Sequence, residues 1–217
     1  MLQKIKNYVK KNYECLIIVD SEEDQTITNI FSDVNTDNRF RFVINDLGKS
    51  PAFAIRKGIQ ESKSEIVVVM MADGSDDAMQ IEELVELIQR GVAIACASRY
   101  MPGGQQVGAK RLKSLLSRIA GRSLKFFANI GTNDCTNSFK AYNKEFIDRV
   151  GINSEHGFEL GIELVVKAKI NNYLIAEIPT IWIERNSGVS NFKILKWLPK
   201  YIHWYIHAFI FKSKYKV

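Results

Sequence analysis

Along the first hundred residues, short β-branched apolar runs alternate with longer stretches whose apolar side chains return every three to four positions. The runs CLIIVD (15–20), RFVI (41–44), IVVVMM (66–71) and VAIACAS (92–98) have the length and branching of strands buried on both faces, and the stretches near 24–34, 51–62 and 80–90 carry the helical period. Such alternation predicts right-handed crossovers and an α/β domain with a mostly parallel sheet sandwiched by helices. A Gly-rich loop, YMPGGQQVGAK (100–110), is followed by a long helix over 110–129 and a short strand in SFKAY. A helix through FELGIELVVKAKI and a strand pair broken at IPTIWIER complete the α/β part. The end of the chain differs in character, aromatic and basic together, which divides the sequence into a domain over 1–191 and an appended C-terminal helix over 192–217.

With 217 residues and 46% hydrophobic content the chain can bury one sizeable core. A net charge of +6 permits a polyanionic partner without demanding one. Nucleic acid is not expected, because the aromatic residues sit in a terminal apolar run rather than among the basic residues of a groove. Cys15, Cys96 and Cys135 have neither metal-ligand nor redox spacing, and no apolar run reaches signal-peptide or membrane-spanning length. The expectation is a reduced, cytoplasmic setting.

The stretch VVVMMADGSDDAMQIEEL (67–84) leaves a buried strand at Asp73, adds Asp76 and Asp77, and then turns helical. Ligands of open α/β sheets lie beyond the carboxyl ends of their strands, so Asp73 falls where such a sheet binds its substrate. The three acids read in two ways. They cap the following helix, or Asp73 with Asp76 or Asp77 holds a divalent cation, Mg²⁺ or Mn²⁺, through hard oxygen ligands.

VVVMMADGSDD followed by ASRYMPGG, KRLKSLLSR, DCTNSFKAY and AEIPTIWIERNSGVSNF, in that order, resembles the nucleotide-sugar glycosyltransferases of family 2, and among them the polyprenyl-phosphate sugar synthases. The resemblance implies a GT-A-like, Rossmann-type fold and a metal-dependent hexosyltransferase. It makes Asp73 the second acid of an Asp-x-Asp metal motif, with Met71 where the first acid usually stands. It assigns Asp20, Asp73 and Arg99 to the donor and Arg111, Ser117, Arg118, Lys140 and Ser190 to the acceptor phosphate. Asp73, Asp134, Arg118 and Arg185 become its catalytic group. Three departures stand out: the family's usual first strand is not found ahead of the opening helix, Lys140 replaces an Arg, and Asn191 replaces a Lys.

At 100° per residue Arg111, Arg118, Arg122 and Lys125 share one narrow sector of the long helix, while Leu112, Leu115, Ile119, Phe126 and Ile130 form a neighbouring stripe expected to pack. In the C-terminal helix the apolar stretch from Tyr201 to Phe211 is about 16 Å long, half a bilayer core. Flanked by lysines and carrying Trp197 and Trp204, it reads as an interfacial helix on anionic lipid, or as a terminal helix docked on its own core or on a second subunit. A homo-oligomer is compatible with the sequence. His203 and His207 have i, i+4 spacing but no third ligand.

These readings lead to an inverting transfer of a sugar from a nucleoside-diphosphate sugar to a polyprenyl-phosphate lipid, a phosphorylated isoprenoid, in cell-envelope glycan biosynthesis. The protein would be peripheral on the cytosolic face of the membrane. Two alternatives stay open. One is transfer to a sugar hydroxyl of a lipid-linked or surface glycan, which needs a general base and has Asp134 and Glu159 as candidates. The other is a catalytically silent, membrane-associated partner protein of the same fold.

Overall fold

In a computed structural model, the structure describes residues 1–108, 111–184 and 194–210, with the backbone alone at 111–113 and 194–197. The order of elements is α1 (Leu2–Tyr8), β1 (Cys15–Val19), α2 (Gln25–Asn35), β2 (Phe40–Ile44), α3 (Pro51–Glu61) and β3 (Ile66–Val69), then a 3-10 turn (Ala78–Gln80) leading into α4 (Ile81–Gln89). There follow β4 (Ile94–Ser98), β5 (Gln105–Val107), α5 (Arg111–Phe127), β6 (Lys140–Asn143), α6 (Lys144–Val150), α7 (Glu159–Ile170), β7 (Ile175–Pro179), β8 (Ile181–Ile183) and α8 (Ile194–Ile210). Three helices, α2, α3 and α6, start at capping residues. Asp24 accepts the Thr26 N–H at 2.8 Å, Ser50 accepts that of Phe53 at 3.2 Å with Pro51 opening α3, and Asn143 accepts that of Phe146 at 3.0 Å.

The central sheet runs β3-β6-β4-β7, and β4 pairs β7 in parallel while β6 lies antiparallel between β3 and β4. Two further parallel pairs are β1-β2 and β5-β8. Parallel pairing therefore predominates, with one reversed strand that periodicity cannot reveal, since an alternating or apolar run reads the same in either direction. No pairing joins β1 to β3 among the described residues. The break at IPTIWIER separates β7 and β8 into different sheets, where Gln105–Val107, expected as loop, supplies the partner of β8. The short helix α6 was also not foreseen.

Strand β4 shows why the core is three-layered. Ile94 and Cys96 point into a cluster with α3, α6 and α7, while Ala95 and Ala97 point into a second with α1 and α4. Helix α7 is apolar around almost its whole circumference and correspondingly buried from Glu159 to Val166. Its Glu163 accepts the N–H groups of Asn153 and Ser154 at 2.6 and 2.7 Å and pairs with Lys167 at 2.6 Å. Helix α8 docks one face on α7 through Trp204 and Ala208 and leaves the opposite face open.

Helix α5 corrects an expectation. Leu124 is fully buried, and Gly121 lies so close to the Asn133 carbonyl that an added Cβ would overlap its oxygen. Of the stripe expected to pack, Leu115, Ile119 and Phe126 face outward, all more than half exposed, while Ile130, beyond the end of the helix, is buried as expected. The glycine decides this. It lets the helix approach through its narrowest side, which lies about 120° around from Leu115.

Candidate active-site cleft

The apolar run ends as a strand at Val69, and the following segment forms one lip of a cleft of about 720 Å³. Gly74 makes the turn possible with φ of +80°, the left-handed region that glycine favours. Asp73 then accepts the Ser75 N–H at 3.0 Å and its hydroxyl at 2.6 Å, both on Oδ1. Its side chain is exposed at the cleft and no described hydrogen bond engages Oδ2.

The neighbouring acids behave differently. Asp76 is 3% exposed, and its Oδ2 accepts the Met71 N–H at 2.8 Å. Burial pushes its carboxyl up to about 6, and the nearby Asp73 charge adds to the effect against the Met71 hydrogen bond. Asp77 caps the 3-10 turn by accepting the Met79 N–H at 3.0 Å. Among the described residues no three His, Cys, Asp or Glu side chains converge on a metal position. Of the three acids, Asp73 presents an exposed carboxylate at the cleft, Asp76 braces the strand end and Asp77 caps the 3-10 turn. Met71 contributes its backbone to the brace and its side chain to the cleft wall.

Asp20 ends β1 at the cleft, next to Asp24 of the α2 cap. Ser117 and Thr136 also line the cleft and share a short hydrogen bond. Arg118 is exposed, and its guanidinium carbon lies 5.3 Å from the Tyr100 ring centroid, with that of Arg99 at 4.9 Å. Tyr100 and Ser114 both donate to Gln106 Oε1, at 2.9 and 2.8 Å, so the amide nitrogen of Gln106 is turned away from them. Lys49, Trp182, Glu184 and Tyr201 also line the cleft. Sequence reasoning missed Lys49, Tyr100, Gln106, Thr136, Trp182 and Glu184. Tyr100, Thr136, Trp182 and Glu184 lie inside quoted motif blocks and were within reach; Gln106 depends on β5, which carries no strand pattern.

Asp134 does not reach the reacting region as a free base. It is fully buried and held by the Arg99 backbone N–H at 3.1 Å, by Nε at 2.6 Å and by an Nη at 2.9 Å, with the Asn137 N–H at 3.1 Å. Burial alone would raise its carboxyl; the Arg99 guanidinium outweighs that and holds it below the usual carboxylate range. Arg99 lines the cleft while spending most of its donors on Asp134 and Thr136. Lys140 is corrected more sharply. It is fully buried in β6, with its ammonium on the carbonyls of Cys135 and Asn137, so it cannot meet an acceptor phosphate in this arrangement.

Glu159 is 2% exposed rather than a surface helix position. Its Oε1 accepts the His156 N–H at 3.0 Å, and its Oε2 has no hydrogen-bond partner among the described residues. The Arg111 side chain, Arg185, Ser190 and Asn191 lie outside the described residues. Lys125, in the basic sector of α5, pairs with Glu177 at 2.7 Å. Cys96 is buried and its thiol is pushed up to about 11, which leaves it inert.

The chain is similar to several known proteins. The chain is 28% identical over 144 residues to polyprenol monophosphomannose synthase of Mycolicibacterium smegmatis, covering 61% of this chain and 54% of that protein. It is 27% identical over 186 residues to dolichol-phosphate mannosyltransferase of Pyrococcus furiosus, covering 84% of this chain and 51% of that one. The chain thus spans about half the length of both relatives. Among solved structures, glucosyl-3-phosphoglycerate synthase from Mycobacterium tuberculosis, in complex with Mn²⁺, uridine diphosphate and its product, superposes with a TM-score of 0.69 at 12% identity, over 98% of this chain and 75% of that one. Mannosyl-3-phosphoglycerate synthase from Rubrobacter xylanophilus gives a TM-score of 0.65 at 14% identity, over 95% of this chain and 66% of that one. At such identities the likeness establishes the GT-A-like fold. The profile of glycosyl transferase family 2 matches residues 1–151, most of the described α/β core, and the chain belongs to that family.

Proposed function

We propose that this protein transfers a sugar from a nucleoside-diphosphate donor to the phosphate of a polyprenyl phosphate at a membrane surface, with mannose as the first sugar to assay. The observation that carries the reading is the cleft itself, lined by the accessible Asp73 carboxylate, Ser117 and Tyr100, with the exposed Arg118 beside Tyr100. The names of the two mannosyl-transferring relatives support the acceptor class.

Asp73 would hold a hard divalent cation through its carboxylate, since no described hydrogen bond engages its Oδ2. The chemistry supplied by an ion held at Asp73 would be neutralisation of charge developing on the departing diphosphate. Asp20 and Asp24 offer acceptors for ribose or base groups of the donor at the end of β1. Arg118, fixed against Tyr100, presents a guanidinium fork suited to an anionic phosphate oxygen, and Ser117 adds a hydroxyl. A phosphate nucleophile is already anionic near neutral pH and needs no strong base. The engagement of Asp134 by Arg99 therefore favours this acceptor over a sugar hydroxyl.

The test incubates the protein with radiolabelled nucleotide sugars, Mn²⁺ or Mg²⁺, and either polyprenyl phosphate or an oligosaccharide-lipid. Label is expected in the polyprenyl phosphate. Label found only on a hydroxyl-bearing glycan overturns the acceptor assignment, and no turnover with no stabilisation by UDP, GDP or their sugars supports the silent alternative.

A further inference from the structure

The two-stranded ribbon of β5 and β8 has two faces of different chemistry. Side chains alternate along each strand, so Val107, Ile181 and Ile183 share one face, and the register partners Gln106 and Trp182 share the other. The first three are 47, 50 and 54% exposed, whereas Gln106 and Trp182 both line the cleft. The Glu184 N–H donates to the Val107 carbonyl at 2.9 Å and extends the ladder by one residue. Two positions beyond Trp182, Glu184 lies on the same face and also lines the cleft.

Gly104 sets this ribbon close to the rest of the site. A Cβ added there would lie 2.4 Å from the Ser98 carbonyl oxygen, so a glycine is needed for the chain to return against the end of β4. That return brings Gln106 Oε1 onto the hydroxyls of Tyr100 and Ser114, at 2.9 and 2.8 Å. With its oxygen engaged twice, the amide is held in one orientation, and its NH₂ group has no hydrogen-bond partner among the described residues. The Trp182 indole N–H has none among them either.

An amide donor, an indole ring and a carboxylate acceptor therefore stand together on one face. A phosphate matches them poorly, because the Glu184 carboxylate repels it. A pyranose ring matches all three: its C–H face suits the indole, and its hydroxyls, which both donate and accept, suit the amide and the carboxylate.

We propose that Gln106, Trp182 and Glu184 form a subsite for a hexose ring, the sugar carried by the nucleotide donor. The source of that ring rests on the sugar-transfer reading. The subsite adds the residues that select the sugar, none of which that reading uses.

The experiment is isothermal titration calorimetry of the full chain, with Mn²⁺, against GDP-mannose and UDP-glucose and against GDP and UDP alone. The wild type is expected to bind at least one nucleotide sugar. Q106L is expected to weaken that nucleotide sugar by about five- to tenfold while the matching diphosphate changes less than about twofold. W182L is expected to weaken it by about tenfold, and W182F, which keeps an aromatic face, to recover most of the loss. Q106E keeps an oxygen for Tyr100 and Ser114. A sugar hydroxyl can donate to the new carboxylate, so nucleotide-sugar binding should stay within about threefold of the wild type. Thermal melts confirm that each variant is folded. Equal losses for nucleotide sugar and diphosphate in Q106L, or no loss in either Q106L or W182L, overturn the subsite, as does a Q106E variant that loses the diphosphate as well. A wild type that binds no nucleotide sugar overturns both the subsite and the sugar-transfer reading. A wild type that binds one with these variant effects but transfers nothing overturns the transfer reading alone.

Discussion

Replacing Asp134 with asparagine separates a structural carboxylate from a chemical one. The substitution keeps the size and one acceptor oxygen but removes the charge opposite Arg99, a residue only 9% exposed whose Nε and Nη both rest on that carboxylate. Breaking one side of a buried pair leaves the other charge uncompensated and costs about 3–5 kcal/mol. Against a total stability of about 5–15 kcal/mol, this is a large fraction. With a urea dependence near 3 kcal/mol per molar, the unfolding midpoint of D134N should fall by about 1–1.7 M. The assay is equilibrium urea unfolding followed by tryptophan fluorescence and circular dichroism. Adding R99M to D134N should recover part of the loss, because the orphaned charge is removed as well. If D134N unfolds within about 0.3 M of the wild type while sugar transfer falls more than about a hundredfold, the carboxylate acts on substrate and the reasoning fails.

Asp73→Ala should lower transfer by at least about a hundredfold and abolish its response to Mn²⁺, while the thermal melt stays unchanged because the side chain is exposed; steady-state rates with and without the ion check this. Gly121→Val should destabilise the fold by several kcal/mol, since its side chain would overlap the Asn133 carbonyl, and should raise hydrogen exchange along α5. Glu177 is pushed up by burial yet held below its usual range by Lys125 and the Asn133 N–H, and Asp134 is likewise depressed. Carboxylates with lowered folded values contribute stability above their unfolded values and lose it as pH falls through the folded ones, so stability should drop below about pH 4 and E177Q should flatten that limb in a pH series of urea midpoints.

The alternation of apolar runs and helical periods was enough to locate the first four strands and the helices between them, because burial on both faces of β4 demands an unbroken apolar run. Asp73 was equally legible: a carboxylate that follows a buried strand has nowhere to go but the carboxyl edge of the sheet. Asp134 and Lys140 were not. Their residue types fit phosphate chemistry, yet which group meets a charge is settled by neighbours distant in the chain, and Arg99 lies 35 positions from Asp134.

The sequence by itself determined the layer architecture, the family and the position of Asp73, all of which follow from local periodicity and from short blocks read in order. Only the tertiary structure decided that β6 runs against its neighbours, that Asp76 braces Met71, and that the apolar side of α5 faces outward. The physical reason is common to all three. Periodicity states which side chains share a face, whereas the contact that covers or exposes that face depends on what the rest of the chain brings against it.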